Sequence, residues 1–500
     1  MSLPGNNMEM KTHGNNIDQA LSHAALLCAQ GNFKMAEAQC RQLLIQQPGN
    51  GHLMYLLAMT IQKAGRNQEA LEWMERASAF QPHSGLVHEG LGFVKSSLGQ
   101  HSEAAAHYRH AMALGCKTAG TYYSLGQILY RMGRVEESQG CFHAASELDP
   151  GDKAVWNNLG KCLSDMGRLE EALSAYDRAL QLDPGYALAG YGRALVYLAR
   201  GNFASGFAGY NQWRHHGIPS RTFAQPAWHG EEMPGQTLFL HAEQGFGDAI
   251  QHARFLPEAR RRVGRLVLEC RPELKTLFMQ ASLADEVIAY GETPPAFDLW
   301  ASQISLPGLL NVTLESLPNR VPYLKWQDDP GDNARDRNPE RKTLRVGLAW
   351  SGNPSHHQDA SRSIPLQNLT PLKDIPGIRY ISLQKPVPAR DIRVFQDWPT
   401  MEDAGSNLPD FLASARLVAG LDLVVTVDTA MAHLAGALGK PVWTLLPAAA
   451  DWRWQTRRTD SPWYPTMRLF RQHRGGDWHA VVDSVAGALE KFAQNHGSGI

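Results

Sequence analysis

The sequence predicts an α-helical solenoid followed by two α/β halves in tandem, each built on a parallel sheet. Three observations support this fold class. A 34-residue period runs through about the first two hundred residues. Two later regions alternate apolar strands with helices, and a polar segment containing proline and glycine precedes each of them. Because 500 residues exceed the size of one ordinary compact domain, we expect several folding units.

The composition indicates a globular protein. Hydrophobic residues make up 43% of the chain and charged residues 19%, so substantial cores can form. The net charge of -1 gives no reason to expect binding to nucleic acid or to an anionic membrane. Residues 1–16 are polar, and no run of about 18 apolar residues follows. We therefore expect a disordered leader over 1–16, no membrane insertion and a cytoplasmic location.

The cysteines favour reduced thiols over a disulfide framework or a zinc site. None of them forms a Cys-x-x-Cys pair, and they are scattered along the chain. We expect no structural metal. The six cysteines are Cys28, Cys40, Cys116, Cys141, Cys162 and Cys270.

Prolines mark the period of the first region. Four prolines lie 34, 68 and 34 residues apart, and Cys116 occupies the missing position. Small residues recur with the same period and larger apolar residues recur between them, so paired helices are expected to pack small positions against large ones. We predict a solenoid over 17–217. The prolines are Pro48, Pro82, Pro150 and Pro184, and one small position is held by Ala24, Ala58, Gly92, Gly126, Gly160 and Ala194.

The fifth repeat carries the fullest version of the pattern, in Trp156, Leu159, Gly160, Leu163, Ala172, Tyr176, Ala179 and Pro184. This pattern resembles the tetratricopeptide repeat, with five repeats from about residue 17 and a degenerate sixth through Trp213. The resemblance implies a concave groove that binds a protein acceptor as an extended peptide or helix. A scaffold that supports the next domain or forms a homodimer is the alternative. Protein O-linked N-acetylglucosamine transferases line this groove with asparagines, of which Asn158 alone is kept here.

The first α/β half is predicted over 236–326, after a linker over 218–235. A strand at its start leads into a loop that contains Gly245 and Gly247, and a helix is expected from Ala249. The two glycines are consistent with ligand contact and equally with an ordinary tight turn.

The second α/β half is predicted over 343–500, after a linker over 327–342. It repeats the alternation of apolar strands and helices seen in the first half, and its helices end at glycine. Two such halves place a ligand cleft between the carboxyl ends of their strands. The predicted strands are Leu344 to Trp350, Ile378 to Leu383, Leu421 to Val427 and Val442 to Leu446.

The strand ending at Val427 leads directly into a predicted helix amino end. Backbone amides at such an end attract a diphosphate, so we predict donor contacts there. The alternative is an ordinary helix cap with a histidine packed one turn later. The candidate donor-binding residues are Asp428, Thr429, Ala430, Met431 and His433.

The run from Val427 to Pro441 resembles the nucleotide-sugar half of heptosyltransferase-like glycosyltransferases with the GT-B fold. Gly247 and Asp248, followed by Leu256-Pro257, resemble the matching motif of the other half. The resemblance implies GT-B-like tandem Rossmann domains and transfer of a sugar from a nucleotide diphosphate with inversion. It also implies that Asp248 is the catalytic base. A helix cap is the competing role for Asp248.

A polar loop after the first strand of the second half supplies further candidates. Arg362 is the first candidate to neutralise the diphosphate, because a guanidinium contacts two oxygens at once. Gln384 and Lys385 follow the next strand and are candidate base or ribose contacts, with a surface turn as the alternative. The remaining loop candidates are Gly245, Gly247, Asn353, His356 and Asp359, and a base other than Asp248 would be sought among His356, His357 and Asp359.

Motifs that are missing from the sequence exclude several classes of enzyme. No Asp-x-Asp triplet occurs, which favours a metal-independent enzyme. A phosphate-binding Gly-x-x-x-x-Gly-Lys loop and a Gly-x-Ser-x-Gly elbow are also missing, which disfavours P-loop and hydrolase functions. We expect no cofactor, with the nucleotide sugar as a substrate.

Together these features predict a glycosyltransferase that modifies a protein acceptor selected by the repeats. By resemblance to bacterial repeat-containing protein glycosyltransferases, flagellin or another surface protein is a candidate acceptor. A nucleotide-sugar epimerase on the same fold is one alternative. A non-catalytic repeat adaptor that binds a nucleotide sugar is the other.

Overall fold

The computed structural model describes residues 19–214, 221–326, 343–356, 359–473 and 475–497. These residues form two compact units, which divide between Tyr186 and Ala187. The predicted leader over 1–16 and the predicted linker over 327–342 lie outside the described residues.

The first unit is a helical solenoid of paired antiparallel helices. The second to fifth repeats each begin with a helix capped by a polar side chain, and the two helices of a repeat meet at a glycine with positive φ. The helices are α1 (19–29), α2 (Phe33–Gln46), α3 (Gly51–Lys63), α4 (Asn67–Phe80), α5 (Gly85–Ser97), α6 (His101–Ala113), α7 (Ala119–Arg131), α8 (Val135–Leu148), α9 (Lys153–Asp165) and α10 (Leu169–Leu182).

The caps and the small positions explain the 34-residue period. The side chains of Asn50, Ser84, Thr118 and Asp152 accept backbone hydrogen bonds at the starts of α3, α5, α7 and α9. The small positions let large rings approach the backbone, as predicted. A Cβ added at Gly92 would lie 2.8 Å from the Tyr108 ring, and one at Gly126 would lie 2.9 Å from the Phe142 ring.

The second unit begins with one more helical pair, α11 (Ala187–Ala199) and α12 (Phe203–Trp213). This pair continues the repeat period, yet its apolar face is buried in the core of the α/β region. The ring of Phe203 stacks on Trp463 at 5.6 Å, and Phe207 meets Trp452 edge-on at 5.8 Å. The last repeat is therefore structurally part of the α/β unit.

The first α/β half contains a four-stranded parallel sheet in the order β3-β2-β1-β4. Helix α13 begins at Phe246, so the prediction of a helix from Ala249 was wrong, and Gly247 and Asp248 lie in its first turn. The strands are β1 (Met233–His241), β2 (Val263–Cys270), β3 (Glu286–Ala289) and β4 (Leu299–Ser302), and the helices are α13 (Phe246–His252), α14 (Leu256–Arg262), α15 (Pro272–Ala281) and α16 (Leu306–Leu309).

The second half contains a six-stranded parallel sheet in the order β10-β9-β8-β5-β6-β7. Its strands are β5 (Leu344–Ala349), β6 (Ile378–Ser382), β7 (Met401–Asp403), β8 (Leu423–Val427), β9 (Val442–Leu446) and β10 (Met467–Arg471). Its helices are α17 (Asp359–Arg362), α18 (Ile392–Gln396), α19 (Phe411–Ala419), α20 (Ala430–Ala437) and α21 (His479–Gly497). The predicted order of a helical solenoid followed by parallel α/β sheets is confirmed.

The two halves meet where α13 packs against α20. Gly247 permits this approach, because a Cβ there would lie 2.8 Å from Cδ2 of His433. The rings of Phe246 and Phe411 lie 4.9 Å apart beside it. Each of these helices follows the carboxyl end of a strand, so their amino ends lie where parallel sheets bind ligands.

The six cysteines are free thiols. Among the described residues, no helix combines the length and apolar character that a membrane span requires. In the same part of the chain, no group of three or more His, Cys, Asp or Glu side chains is arranged to hold a metal ion.

Candidate active site

A charged cluster joins the two halves beside the α13–α20 contact, and Arg453 is at its centre. The guanidinium of Arg453 donates to Oδ1 of Asp248 at 2.5 Å and to Oε1 of Gln251 at 2.8 Å, both on α13. It also pairs with Oδ1 of Asp451 in its own half at 2.8 Å. These four residues, called the Arg453 cluster below, fix α13 to the loop that follows β9.

Asp248 faces this cluster rather than its own helix. In the described part of the chain, its carboxylate is bound through Oδ1 by Arg453, which lies in the other half. About a quarter of the Asp248 side chain is exposed, with 24% accessible to solvent. The carboxylate is thus oriented by an ion pair and open to solvent, which is an arrangement that suits a general base.

Asp428 lies at the start of α20, next to the Arg453 cluster. Burial and the nearby Asp451 carboxylate raise its pKa to about 6, although Arg453 and Arg362 act in the opposite direction. Arg453 and Arg362 are thus the two cations whose charge acts on this carboxyl group. The start of α20 is where a donor diphosphate was predicted.

Thr429 is the N-cap of α20, and its Oγ1 accepts from the amide of Met431 at 3.3 Å. The cap predicted as the alternative therefore exists. A diphosphate at this end would use the amides of Thr429 and Ala430, or would displace the Thr429 hydroxyl from Met431. The helix end keeps the dipole that attracts an anion in either case.

Arg362 ends the short helix α17 and lies against the loop that follows β5. Its Nε is 3.4 Å from Oδ1 of Asp359, and that oxygen also accepts from the hydroxyl of Ser363 at 2.9 Å. Gly352 leaves room for the guanidinium, because a Cβ there would lie 2.8 Å from Nη2 of Arg362. Asp359 is thus a positioning partner of Arg362.

The other loop candidates shape the same loop. Oδ1 of Asn353 accepts from the amide of Ser355 at 3.0 Å, and its carbonyl accepts from the amide of His356 at 2.9 Å. The candidate His357 lies outside the described residues. Gly245 is the exposed N-cap residue of α13.

Gln384 and Lys385, the candidate base or ribose contacts, both bond to neighbouring backbone groups. Gln384 is buried, and its Oε1 accepts from the amides of Trp350 at 3.1 Å and Ser351 at 2.9 Å. Its Nε2 donates to the carbonyl of Pro386 at 3.2 Å, so the side chain fixes the end of β5. The ammonium group of Lys385 is on the surface and donates to the carbonyl of Leu408. The surface-turn alternative therefore fits Lys385 but not Gln384, which is buried.

His433 packs behind the site rather than facing it. Its ring is buried, stacks on Trp454 at 5.2 Å, and shares a 2.9 Å hydrogen bond between Nδ1 and the hydroxyl of Tyr464. Burial lowers the pKa of His433 well below its ordinary value, and the nearby Arg453 and Arg254 lower it further. A neutral, enclosed imidazole gives no support to the predicted donor contact.

The last helical pair supplies a wall of the site that sequence reasoning missed. Burial raises the pKa of Tyr210 on α12 well above its ordinary value, and the nearby Tyr191 and Asp248 raise it further. The rings of Tyr191 and Tyr210 lie 5.6 Å apart, and Arg214 lies 5.7 Å over the Tyr210 ring. The 34-residue period places these residues on helices but gives no sign that they border Asp248.

The raised pKa of Asp428 predicts a pH-dependent contribution to stability. A carboxyl group with a pKa near 6 in the folded state and near 4 in the unfolded state stabilises the fold below pH 4, and this stability is lost as the pH rises to 6. Asp428→Asn should therefore gain stability relative to the wild type between pH 4 and pH 7, by roughly 2 kcal/mol after solvent screening. Melting temperatures across this pH range test it. A constant difference between the two proteins would contradict the raised pKa.

Comparison with known proteins agrees with both parts of the architecture. Tetratricopeptide-repeat family models match residues 27–91, 123–187 and 163–214. The model of glycosyltransferase family 9 (heptosyltransferase) matches residues 409–476, which include α20 and Arg453.

Among curated proteins, Protein FlbA of Caulobacter vibrioides is 29% identical over 339 residues, which cover 61% of this chain and 56% of FlbA. The match thus spans little more than half of that relative. Similar solved structures include YrrB, described as a TPR protein with an unusual peptide-binding site, at 20% identity and a TM-score of 0.33, covering 35% of this chain and 92% of YrrB. Pseudomonas aeruginosa PilF is similar at 17% identity and a TM-score of 0.38, covering 42% of this chain and 94% of PilF. On the family matches, the chain carries tetratricopeptide repeats in its amino-terminal half and a glycosyltransferase family 9 (heptosyltransferase) domain at its carboxyl terminus.

Proposed function

We propose that this protein is an inverting, metal-independent glycosyltransferase of the GT-B type that transfers a sugar from a nucleotide sugar to a protein. The observation that supports this proposal most is the Arg453 cluster. It brings Asp248, on the first helix of one half, next to the amino end of α20 in the other half. One side of this arrangement suits an acceptor hydroxyl, and the other suits a leaving diphosphate.

The donor diphosphate would bind at the amino end of α20, with Arg362 as its main positive side chain. Amides and a guanidinium stabilise a departing diphosphate without a metal ion. The negative charges of Asp428 and Asp451 would repel an anion at this position. Protonation of Asp428, whose pKa is near 6, removes part of this repulsion when the donor binds.

In the proposed reaction, Asp248 removes the proton of the acceptor hydroxyl. The acceptor oxygen forms a bond to the anomeric carbon of the sugar, while the bond between that carbon and the diphosphate oxygen breaks. The electron pair of the broken bond leaves with the nucleoside diphosphate. Arg453 holds Asp248 through Oδ1, and Oδ2 is the atom assigned to receive the proton.

The acceptor is proposed to be a protein selected by the repeat groove, with flagellin or another surface protein as the candidate and the cytoplasm as the location. The position of the last helical pair supports this idea, because α11 and α12 continue the repeat period and border the Arg453 cluster. A scaffold or dimerisation role for the remaining repeats is the competing proposal. An epimerase would convert a nucleotide sugar without any acceptor, and an adaptor would bind it without turnover.

The donor site is tested with a panel of nucleoside diphosphates and nucleotide sugars. The nucleotides that carry one particular nucleobase should raise the melting temperature of the full chain, because a ligand that binds the folded state stabilises it. Arg362→Ala should weaken the affinity for that nucleoside diphosphate by about 10- to 100-fold, the scale of a lost charge-assisted hydrogen bond. Lys385→Ala is the matched control, since it removes a positive charge from the neighbouring surface turn. Equal affinities of the two variants in calorimetry would remove Arg362 from the site.

The catalytic role is tested with Asp248→Asn. The amide keeps the size of the side chain but cannot accept the acceptor proton, so sugar transfer should fall by roughly a hundredfold or more. Affinity for the nucleoside diphosphate should stay within a few-fold of wild type. The readout is sugar added to proteins of the native cell lysate, measured by intact-protein mass spectrometry with the stabilising nucleotide sugar. Near-full transfer by Asp248→Asn would move the base to the facing loop, where His356, His357 and Asp359 are the candidates.

A further inference from the structure

Three polar side chains form a row across the first sheet, on the face opposite α13. Side chains alternate between the two faces of a strand. Leu240 and Leu268 face the core shared with α13 and α14, so His241 on β1 and Glu269 on β2 point to the other face. Ser302 on β4 is the register partner of His241. His241, Glu269 and Ser302, called the carboxyl-end row below, thus lie side by side at the ends of three neighbouring strands.

The row is buried but its hydrogen bonds are incomplete. The exposed fractions of His241, Glu269 and Ser302 are 0%, 1% and 3%. Within the described residues, four of their polar atoms have no hydrogen-bond partner: Nδ1 and Nε2 of His241, Oε1 of Glu269 and Oγ of Ser302. Oε1 of Glu243 lies 3.7 Å from Nε2 of His241, beyond hydrogen-bond distance. Each such atom costs about 1–3 kcal/mol when left unpaired, and buried polar groups are nearly always satisfied. A ligand or ordered water therefore belongs at this row.

The donors and acceptors of the row suit a neutral hydroxyl group. Burial lowers the pKa of His241 to about 4, so at neutral pH its ring offers one donor and one acceptor. Oε2 of Glu269 is already taken by Arg221 at 2.5 Å and by the amide of Ala242 at 3.1 Å, which leaves Oε1 to accept. The Ser302 hydroxyl donates or accepts. The Glu269 carboxylate would repel a phosphate group, and the Arg221 guanidinium would repel an ammonium group.

The surroundings of the row point to an alcohol on an organic ligand rather than to a charged one. The rings of Phe223 and Trp300 each lie 5.7 Å from the His241 ring and provide an apolar wall. Arg221 and Glu243 border the row and are partly exposed, with side-chain exposures of 36% and 14%. Two partly exposed charged side chains thus lie beside the buried row.

The row also lies next to the candidate active site along the chain. His241 ends β1, and the next residues lead directly into α13 and Asp248. Glu243 in this connection pairs with Arg214 at 3.2 Å, and Arg214 is buried on the last repeat helix with its Nη2 donating to Ser305 at 2.6 Å. The row, the connection and the repeat helix are thus held in one polar network.

We propose that His241, Glu269 and Ser302 form a binding site for the neutral hydroxyl group of an organic ligand, separate from the carboxylate of Asp248. A sugar hydroxyl and the side-chain hydroxyl of a Ser or Thr residue share this chemistry. The site does not depend on the donor contacts at α20, so it can be tested without a known donor.

The test uses saturation-transfer NMR on the full chain with two sets of probes at millimolar concentration. One set contains free monosaccharides, and the other contains N-acetylserinamide and N-acetylthreoninamide. We expect one set of probes to give a saturation-transfer signal with the wild type. This signal should be lost with His241→Phe and with Ser302→Ala. His241→Phe keeps a ring of similar shape and removes two polar atoms without a hydrogen bond together with one 3.7 Å contact to Glu243, so its melting temperature should stay close to that of the wild type. Ser414→Ala, which removes another buried serine hydroxyl bonded within α19, is the matched control and should keep the signal.

The set of probes that loses its signal identifies the source of the hydroxyl. Neither His241→Phe nor Ser302→Ala should change the melting shift produced by a nucleoside diphosphate, which separates this site from the proposed donor site. The proposal is overturned if no probe is saturated in the wild type, because the row then holds water only. It is also overturned if saturation persists in both variants.

Discussion

The second unit depends on one buried cation shared between its halves. Burial alone would lower the pKa of Arg453, but the carboxylates of Asp451, Asp248 and Asp428 outweigh this effect and raise it above its ordinary value. Removing a guanidinium from water costs several kcal/mol unless its donors are paired. Arg453 pairs with both halves at once, so the charge is stable only while α13 lies beside the loop that follows β9. Arg453 therefore helps to fix the relative position of the two sheets, together with the packing of α13 on α20.

The last helical pair, α11 and α12, packs next to the same contact. Gly247 lets α13 approach α20, and the rings of α12 pack against Trp452, the neighbour of Arg453. The last repeat is thereby built into the α/β core while keeping the helical period of the solenoid.

Much of the fold was predictable because its signals are local. The strand Val442–Leu446 was predicted with the bounds that the structure has, since an apolar run between turn residues defines it. The start of α13 was wrong by three residues, because Gly247 is used for close helix packing rather than for a loop. The site was less predictable. Gln384 looks like a ligand contact in sequence but holds the amides at the end of β5, and Arg453 acts on Asp248, a partner 205 residues away.

A pair of single variants and their double variant test the central role of Arg453 most directly. Arg453→Gln leaves the carboxylates of Asp248 and Asp451 facing each other without a cation, so its melting temperature should fall by several degrees. Adding Asp248→Asn removes one of these charges. The double variant should therefore melt at the same temperature as Arg453→Gln or above it. If instead the two single losses add in the double variant, Asp248 and Arg453 do not interact, and the two halves are held together by other contacts.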